Sequence, residues 1–292
     1  MDQAEQLRNI VKQKNQQIVS NARVITVTSG KGGVGKSNVA VNLAVQIRKS
    51  GKKVIIIDAD FGLANVEVMF GAIPKYNFSD LIYRGKSIRD IISLGPMEIG
   101  FISGGSGIAG VNNLTREQIE YLISNMKELD QMADVIIIDT GAGISDSVLE
   151  FVLASPEIVL VTTPEPSSLT DSYSLLKALY RNSEFQWEKK KIKVVSNRVT
   201  SVEEGRAVFE KLNTVVGQFL DGSLEYLGML PQDSMLEKAV RQQKPVTISY
   251  PEARVSRAFE ALTEYLLEEK ESQFQMKRGI AQWFSSLISR RK

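Results

Sequence analysis

Short runs of Val, Ile and Leu recur along the chain and alternate with longer amphipathic segments. Six runs have the composition of strands: RVITVTS (23–29), KVIIIDAD (53–60), DVIIID (134–139), EIVLVTT (157–163), KIKVVSN (191–197) and the less regular LEYLGML (224–230). Several are continuously apolar rather than alternating, which is typical of parallel strands that are covered on both faces.

Segments with a helical repeat lie between these runs, and they predict helices over 37–49, 115–130, 146–154, 168–183 and 201–219. This alternation is that of repeated β-α-β units. The sequence therefore predicts an α/β fold, a doubly wound, mostly parallel β-sheet flanked by helices. We expect one domain over 23–270, preceded by an N-terminal extension (1–22) and followed by a C-terminal tail (271–292).

Composition narrows the chemistry that is open to the chain. Its 292 residues include no Cys and no His, which excludes disulfides, thiolate nucleophiles, Cys-ligated metal clusters and imidazole bases. The first residues, MDQAEQLRNI, lack the basic-then-apolar pattern of a signal peptide. No apolar run approaches the roughly 18 residues of a membrane-spanning helix. We therefore expect a cytoplasmic protein.

The net charge of +2 is distributed unevenly. Residues 276–292 contain five basic residues and no acidic one, so the rest of the chain is slightly acidic. This distribution argues against a broad nucleic-acid-binding face on the body, and no nucleic-acid partner is expected. The excess of basic residues lies in the tail instead.

The stretch SGKGGVGKS (29–37) matches the phosphate-binding pattern G-x-x-x-x-G-K-[ST]. It ends a predicted strand and begins a predicted helix, where backbone N–H groups and a helix N-terminus can hold phosphate. Lys36 would reach the β- and γ-phosphates of ATP, and Ser37 would bind Mg²⁺. A glycine-rich turn without a ligand is the alternative. The predicted phosphate-binding residues are Gly30, Lys31, Gly32, Gly33, Val34, Gly35, Lys36, Ser37 and Asn38.

Carboxylates follow two other predicted strands, as phosphoryl transfer requires. Asp139 ends DVIIID, and Asp58 and Asp60 end VIIIDAD. Asp58 and Asp60 share one side of an extended chain, so one can support the metal while the other reaches the attacking water. We predict that Asp58 and Asp139 support Mg²⁺ and that Asp60 is catalytic. The alternative is that these residues only cap the loops that follow.

Because Lys31 precedes the other glycines of the loop, GKGGVGKS resembles the deviant Walker A motif of the MinD/ParA family of P-loop ATPases. The resemblance covers about residues 23–268. It implies weak ATP hydrolysis by an ATP-bound homodimer in which Lys31 reaches the phosphates of the partner subunit. It also implies that Asp60 positions the attacking water and that Asp139, in DTGAG, belongs to a switch segment.

Three further segments match this family. Asn197 and Arg198 in VVSNRV correspond to a pair beside the adenine, and Pro231, Gln232 and Asp233 in LPQDSML to a second adenine-side loop. TTPEPSSLTDSY resembles a dimer-facing segment, so Glu165 and Asp171 are candidates there. Iron–sulfur members of the superfamily use cysteines, and its tyrosine kinases have a C-terminal tyrosine cluster. This chain has neither, so the MinD-like and ParA-like branches remain.

The tail has one helical apolar stripe with basic residues before and after it, formed by Ile280, Trp283, Phe284, Leu287 and Ile288. This pattern is typical of a helix that lies on an anionic membrane surface. A last helix packed on the body is the alternative. On the first interpretation, the ATP-bound dimer is peripheral at the inner face of the cell membrane.

The segment DQAEQLR at the N-terminus resembles the start of the FlhG family (also called YlxH or FleN), MinD-type ATPases that control flagellar number and placement. This resemblance implies that Gln3, Leu7 and Arg8 contact the GTPase FlhF and stimulate it, and that flagellar C-ring components are partners. The segment can also be an amphipathic helix that docks on its own body. The alternatives are a MinD that positions the division site, a ParA-like DNA-partitioning ATPase and a non-catalytic nucleotide sensor.

Overall fold

The computed structural model describes residues 22–60, 65–104, 116–186, 190–268 and 279–281. Its strands are β1 (Arg23–Ser29), β2 (Val54–Ala59), β3 (Ser93–Leu94), β4 (Gly100–Ile102), β5 (Val135–Ala142), β6 (Glu157–Thr162), β7 (Lys191–Val199) and β8 (Glu225–Pro231). They form an eight-stranded sheet in the order β3-β4-β2-β5-β1-β6-β7-β8. All neighbours are parallel except β3 and β4. The predicted α/β fold with a mostly parallel sheet is confirmed.

The helices connect these strands across both faces of the sheet. They are α1 (Lys36–Lys49), α2 (Asn65–Phe70), α3 (Phe78–Tyr83), α4 (Ile88–Ile91), α5 (Arg116–Met132), α6 (Asp146–Ala154), α7 (Pro166–Arg181), α8 (Val202–Leu220), α9 (Ser234–Arg241), α10 (Val246–Ser249) and α11 (Arg254–Glu268). None of those in the described part of the chain combines the length and apolar character needed to cross a bilayer.

Each strand and helix that the sequence pattern predicted lies within three residues of an observed element, whereas helices α2–α4 and α9–α11 were not among the predicted ranges. The short strands β3 and β4 were not predicted, because two or three residues are too few to show a period. Strand β4 forms because Gly100, Phe101 and Ile102 pair with Ile55, Ile56 and Ile57 of β2. The antiparallel β3 then closes this edge of the sheet.

Apolar residues of the central strands are buried on both faces of the sheet. Ile56 and Ile137 belong to the core cluster beneath α1 and α11, whereas Ile55 and Ile136 belong to the cluster on the opposite face. This follows from the two-residue period of a strand, which sends successive side chains to opposite sides. The continuous Val and Ile runs are therefore explained by two covered faces.

The described turn of the tail packs on the body. Ile280 is fully buried, in the cluster that contains Leu122, Met126 and Leu129 of α5. The backbone N–H groups of Ile280 and Ala281 donate to the two carboxylate oxygens of Asp130, at 2.6 and 3.1 Å. Burial raises the pKa of Asp130, although these hydrogen bonds act to lower it.

This docking bears on the predicted membrane contacts. Ile280 faces the protein interior in this structure, so it can meet a membrane only after the turn has left Asp130. The other predicted membrane and partner residues lie outside the described residues, namely Trp283, Phe284, Leu287, Ile288, Gln3, Leu7 and Arg8.

Candidate active site

The loop between β1 and α1 has the backbone of a phosphate cradle. Gly33 and Gly35 have φ angles of 77° and 93°, which non-glycine residues rarely adopt, and Gly35 immediately precedes the helix. Gly30 lies so close to the backbone of Asp171 and Ser172 in α7 that a Cβ atom would overlap it. The glycines thus serve both the turn and the close approach of α7.

Lys36 forms a buried ion pair with Asp139 at the carboxyl ends of β1 and β5. Lys36 Nζ lies 2.8 Å from Asp139 Oδ1, with the two side chains 7% and 0% exposed. Asp139 Oδ2 is buried without a hydrogen-bond partner. Burial raises the pKa of Asp139, whereas Lys36 acts to lower it. The neighbouring Ser37 side chain also acts to lower the pKa of Asp139.

Asp58 stands beside Asp139, because the two residues are register partners in β2 and β5. Its carboxylate accepts backbone N–H groups from Asp60 and Val66, each at 3.1 Å. Burial, with a further contribution from the charge of Asp139, raises the pKa of Asp58 to about 7. Asp60 is half-buried, and its carboxylate accepts a hydrogen bond from Asn65 at 3.3 Å.

These groups fit Mg²⁺. Ser37, Asp58 and Asp139 supply hard oxygen donors, and the buried Asp139 Oδ2 has an unused acceptor site. Within the described ranges, no group of three or more acidic side chains forms a complete metal cage. That is compatible with Mg²⁺, which keeps several waters and takes substrate phosphates as ligands.

Lys31 lies outside the group formed by Lys36, Asp58 and Asp139, at the exposed rim of the site. Its Nζ is 3.0 Å from Glu165 Oε2 and 2.6 Å from Ser167 Oγ, at the start of α7. The hydrogen bond and charge of Lys31 lower the pKa of Glu165. Lys31 and Glu165 are 34% and 55% exposed, so this pair is accessible to water. Ser167 was not among the predicted site residues, although it stands two positions after Glu165 in the segment that suggested the dimer face.

The residues predicted beside the adenine contact the phosphate loop. Asn197 Nδ2 donates to the Val34 carbonyl and an Arg198 guanidinium nitrogen to the Gly33 carbonyl, each at 2.7 Å. The adenine role stays a prediction.

The second predicted adenine-side loop begins where β8 ends. Pro231 is buried, and the exposed Gln232 donates its N–H to Val199 at 2.9 Å. Asp233 caps α9 by accepting from Met235 at 2.8 Å and also accepts from Val255 of α11 at 3.2 Å. Its carboxylate is therefore committed to holding the two helix starts.

Comparison with known proteins supports the nucleotide chemistry of this site. The model of the ParA family, described as a NUBPL iron-transfer P-loop NTPase, matches residues 20–267. The antiactivator FleN of Pseudomonas aeruginosa is 40% identical over 83% of this chain and 85% of its own. The flagellum site-determining protein YlxH of Helicobacter pylori is 33% identical over 98% of each chain.

A similar solved structure is the septum site-determining protein MinD of Pyrococcus horikoshii, complexed with Mg-ADP. It superposes with a TM-score of 0.64 at 25% identity, over 85% of this chain and 96% of that one. The similarity extends over nearly the whole of that protein.

The different burial of the two lysines predicts different effects on ADP binding. Lys36→Met should weaken binding of Mg-ADP about 100-fold, because a lost charge-assisted hydrogen bond costs roughly 2–3 kcal/mol. Lys31→Ala is the matched control and should change the ADP affinity of the monomer by less than about threefold, because Lys31 contacts the exposed start of α7. Titration calorimetry measures both. A folded Lys36→Met protein with wild-type affinity would contradict this assignment.

Proposed function

Because the chain belongs to the ParA family of P-loop NTPases, and within it to the MinD-type ATPases that include FleN and YlxH, we propose that it is an ATP-dependent switch that sets the number and place of flagella. The observation that carries this proposal is the similarity to a flagellum site-determining protein over 98% of both chains. It favours a flagellar role over division-site positioning and DNA partitioning.

We infer that hydrolysis begins with an exchange of partners at Lys36. In this structure its ammonium group is bound to Asp139, and with ATP it would turn to the β- and γ-phosphates. Asp139, Ser37 and Asp58 would then hold Mg²⁺, which would supply positive charge against the phosphate oxygens. Asp60 orients a water whose oxygen bonds to the γ-phosphorus while the bond to the ADP oxygen breaks.

Dimerisation would change the partner of Lys31. Its bonds to Glu165 and Ser167 are at the water-exposed rim, and such ion pairs contribute little to stability. A phosphate of a second subunit in a closed interface is a stronger partner, because water no longer screens the charges. Lys31 would therefore move only when an ATP-bound partner is present, which makes dimerisation dependent on ATP.

The tail would convert dimerisation into membrane attachment. Each basic residue near an anionic leaflet contributes about 1 kcal/mol, so one short tail binds weakly. Two tails on one dimer can gain roughly 10²–10⁴-fold through effective concentration. The buried Ile280 opposes this attachment in the monomer, because its contacts with α5 are lost when the tail binds lipid.

The N-terminal extension would connect the switch to its partners. We propose that Gln3, Leu7 and Arg8 contact FlhF and stimulate its GTPase, and that the ATP-bound dimer carries C-ring components to the site of assembly. These contacts rest on the resemblance of DQAEQLR to the FlhG family. The protein would be cytoplasmic as a monomer and peripheral on the membrane as a dimer.

Weakening the docked turn should increase membrane binding. Gly279→Ala places a methyl group against the Asp130 carboxylate, so it should release the turn and raise sedimentation with phosphatidylglycerol vesicles in the presence of ADP. Removal of residues 276–292 should abolish sedimentation with ATP. Neutral phosphatidylcholine vesicles are the control. Undiminished sedimentation of the truncated chain would rule out the tail as the membrane contact.

Loss of the N-terminal element should separate stimulation of the FlhF GTPase from ATP hydrolysis. Deletion of residues 2–20 should abolish stimulation of FlhF GTP hydrolysis and leave ATP hydrolysis intact, because the P-loop begins after β1. The variant Gln3→Ala/Leu7→Ala/Arg8→Ala should behave like the deletion, whereas Gln16→Ala/Gln17→Ala, a matched change in the same segment, should not. Full stimulation by the deletion variant would refute the role of this element.

A further inference from the structure

We propose that Asn197 and Arg198 are positioning residues for the phosphate loop, which they hold by two of its carbonyl groups. Their effect on nucleotide binding would then be independent of the base. The proposal rests on nucleotide binding by this family, and it does not depend on the flagellar role.

Asn197 is the buried half of this contact. It is 2% exposed, and its Nδ2 donates to the Val34 carbonyl at 2.7 Å. Its Oδ1 accepts the backbone N–H of Arg198 at 2.9 Å. A Cβ atom on Gly35 would lie 2.5 Å from Asn197 Nδ2, closer than such contacts allow. Gly35 is therefore needed both for its positive φ and for the approach of Asn197.

Arg198 is aimed at the loop by an irregularity of its strand. The register between β7 and β8 passes from Asn197–Leu230 directly to Val199–Pro231, so Arg198 is an extra residue without a partner in β8. Its φ is 58°, in the left-handed region. Bulges and strained residues of this kind redirect side chains next to active sites. Here the redirected guanidinium donates to the Gly33 carbonyl at 2.7 Å.

Holding these carbonyls fixes the direction of two backbone N–H groups. In a planar trans peptide the C=O of one residue and the N–H of the next point in opposite directions. The carbonyls of Gly33 and Val34 face Arg198 and Asn197, so the N–H groups of Val34 and Gly35 point away from β7, as phosphate donors in the cradle would. Glycine-rich loops are otherwise free to turn, so such a restraint lowers the ordering cost of binding.

The test compares a ligand that has a base with one that lacks it. The variants are Arg198→Gly, which removes the guanidinium but accepts the positive φ without strain, and Arg198→Lys, which keeps a cation. Mg-ADP and Mg-tripolyphosphate are each titrated in competition with a fluorescent ADP analogue. Arg198→Gly should weaken the binding of both ligands by the same factor, about tenfold. Arg198→Lys should weaken the binding of both ligands less. The urea midpoint of Arg198→Gly should not fall.

Asn197→Asp has the same shape but cannot donate to the Val34 carbonyl, so it should weaken both ligands in parallel. Without nucleotide, amide hydrogen exchange at Val34 and Gly35 should also become faster in Arg198→Gly and in Asn197→Asp. Weaker ADP binding with unchanged tripolyphosphate binding would show an adenine contact instead. Unchanged affinity for both ligands would overturn the proposal as well.

Discussion

The buried ion pair between Lys36 and Asp139 is the interaction on which the active site depends. It lies where the carboxyl ends of β1, β2 and β5 bring Asp58, Asp60 and Asp139 together. Burial, and after it the repulsion between neighbouring carboxylates, raises the pKa values of Asp58 and Asp139. The charge of Lys36 acts in the opposite direction on Asp139. A nucleotide with Mg²⁺ brings both an anion for Lys36 and a cation for the carboxylates, so the site is complementary to that pair of ligands.

Lys31 and Lys36 belong to the same loop but differ in burial, and we infer different roles for them from this difference. Lys36 is enclosed and would meet phosphate within its own subunit. Lys31 is at the rim, bound to Glu165 and Ser167 of α7, and it is free to exchange these partners because water screens the pair. The same helix packs its backbone on Gly30, so α7 touches both the loop and Lys31. This arrangement is suited to a protein whose hydrolysis waits for a second subunit.

Periodicity and motif spacing predicted the part of the structure that local patterns determine. The Val and Ile runs specified the central strands because both sheet faces are covered, and the strand-end positions of Asp58 and Asp139 predicted that the two carboxylates lie side by side because parallel strands end at one edge. The contact of Lys31 with Ser167 and those of Asn197 and Arg198 with the loop are different. They join residues more than a hundred positions apart, and a bulge with no sequence period directs Arg198. The docking of Ile280 on α5 depends likewise on a tertiary surface, since the same apolar stripe serves a membrane or a core.

The central claim is that ATP joins two subunits and that hydrolysis separates them. The most direct measurement is the mass of an Asp60→Ala variant by light scattering with Mg-ATP and with Mg-ADP. Asp60 would orient the attacking water and lies outside the Lys36–Asp139 pair, so its loss should block hydrolysis and leave nucleotide binding intact. We expect a dimer with ATP and a monomer with ADP. A monomer with both nucleotides would contradict it.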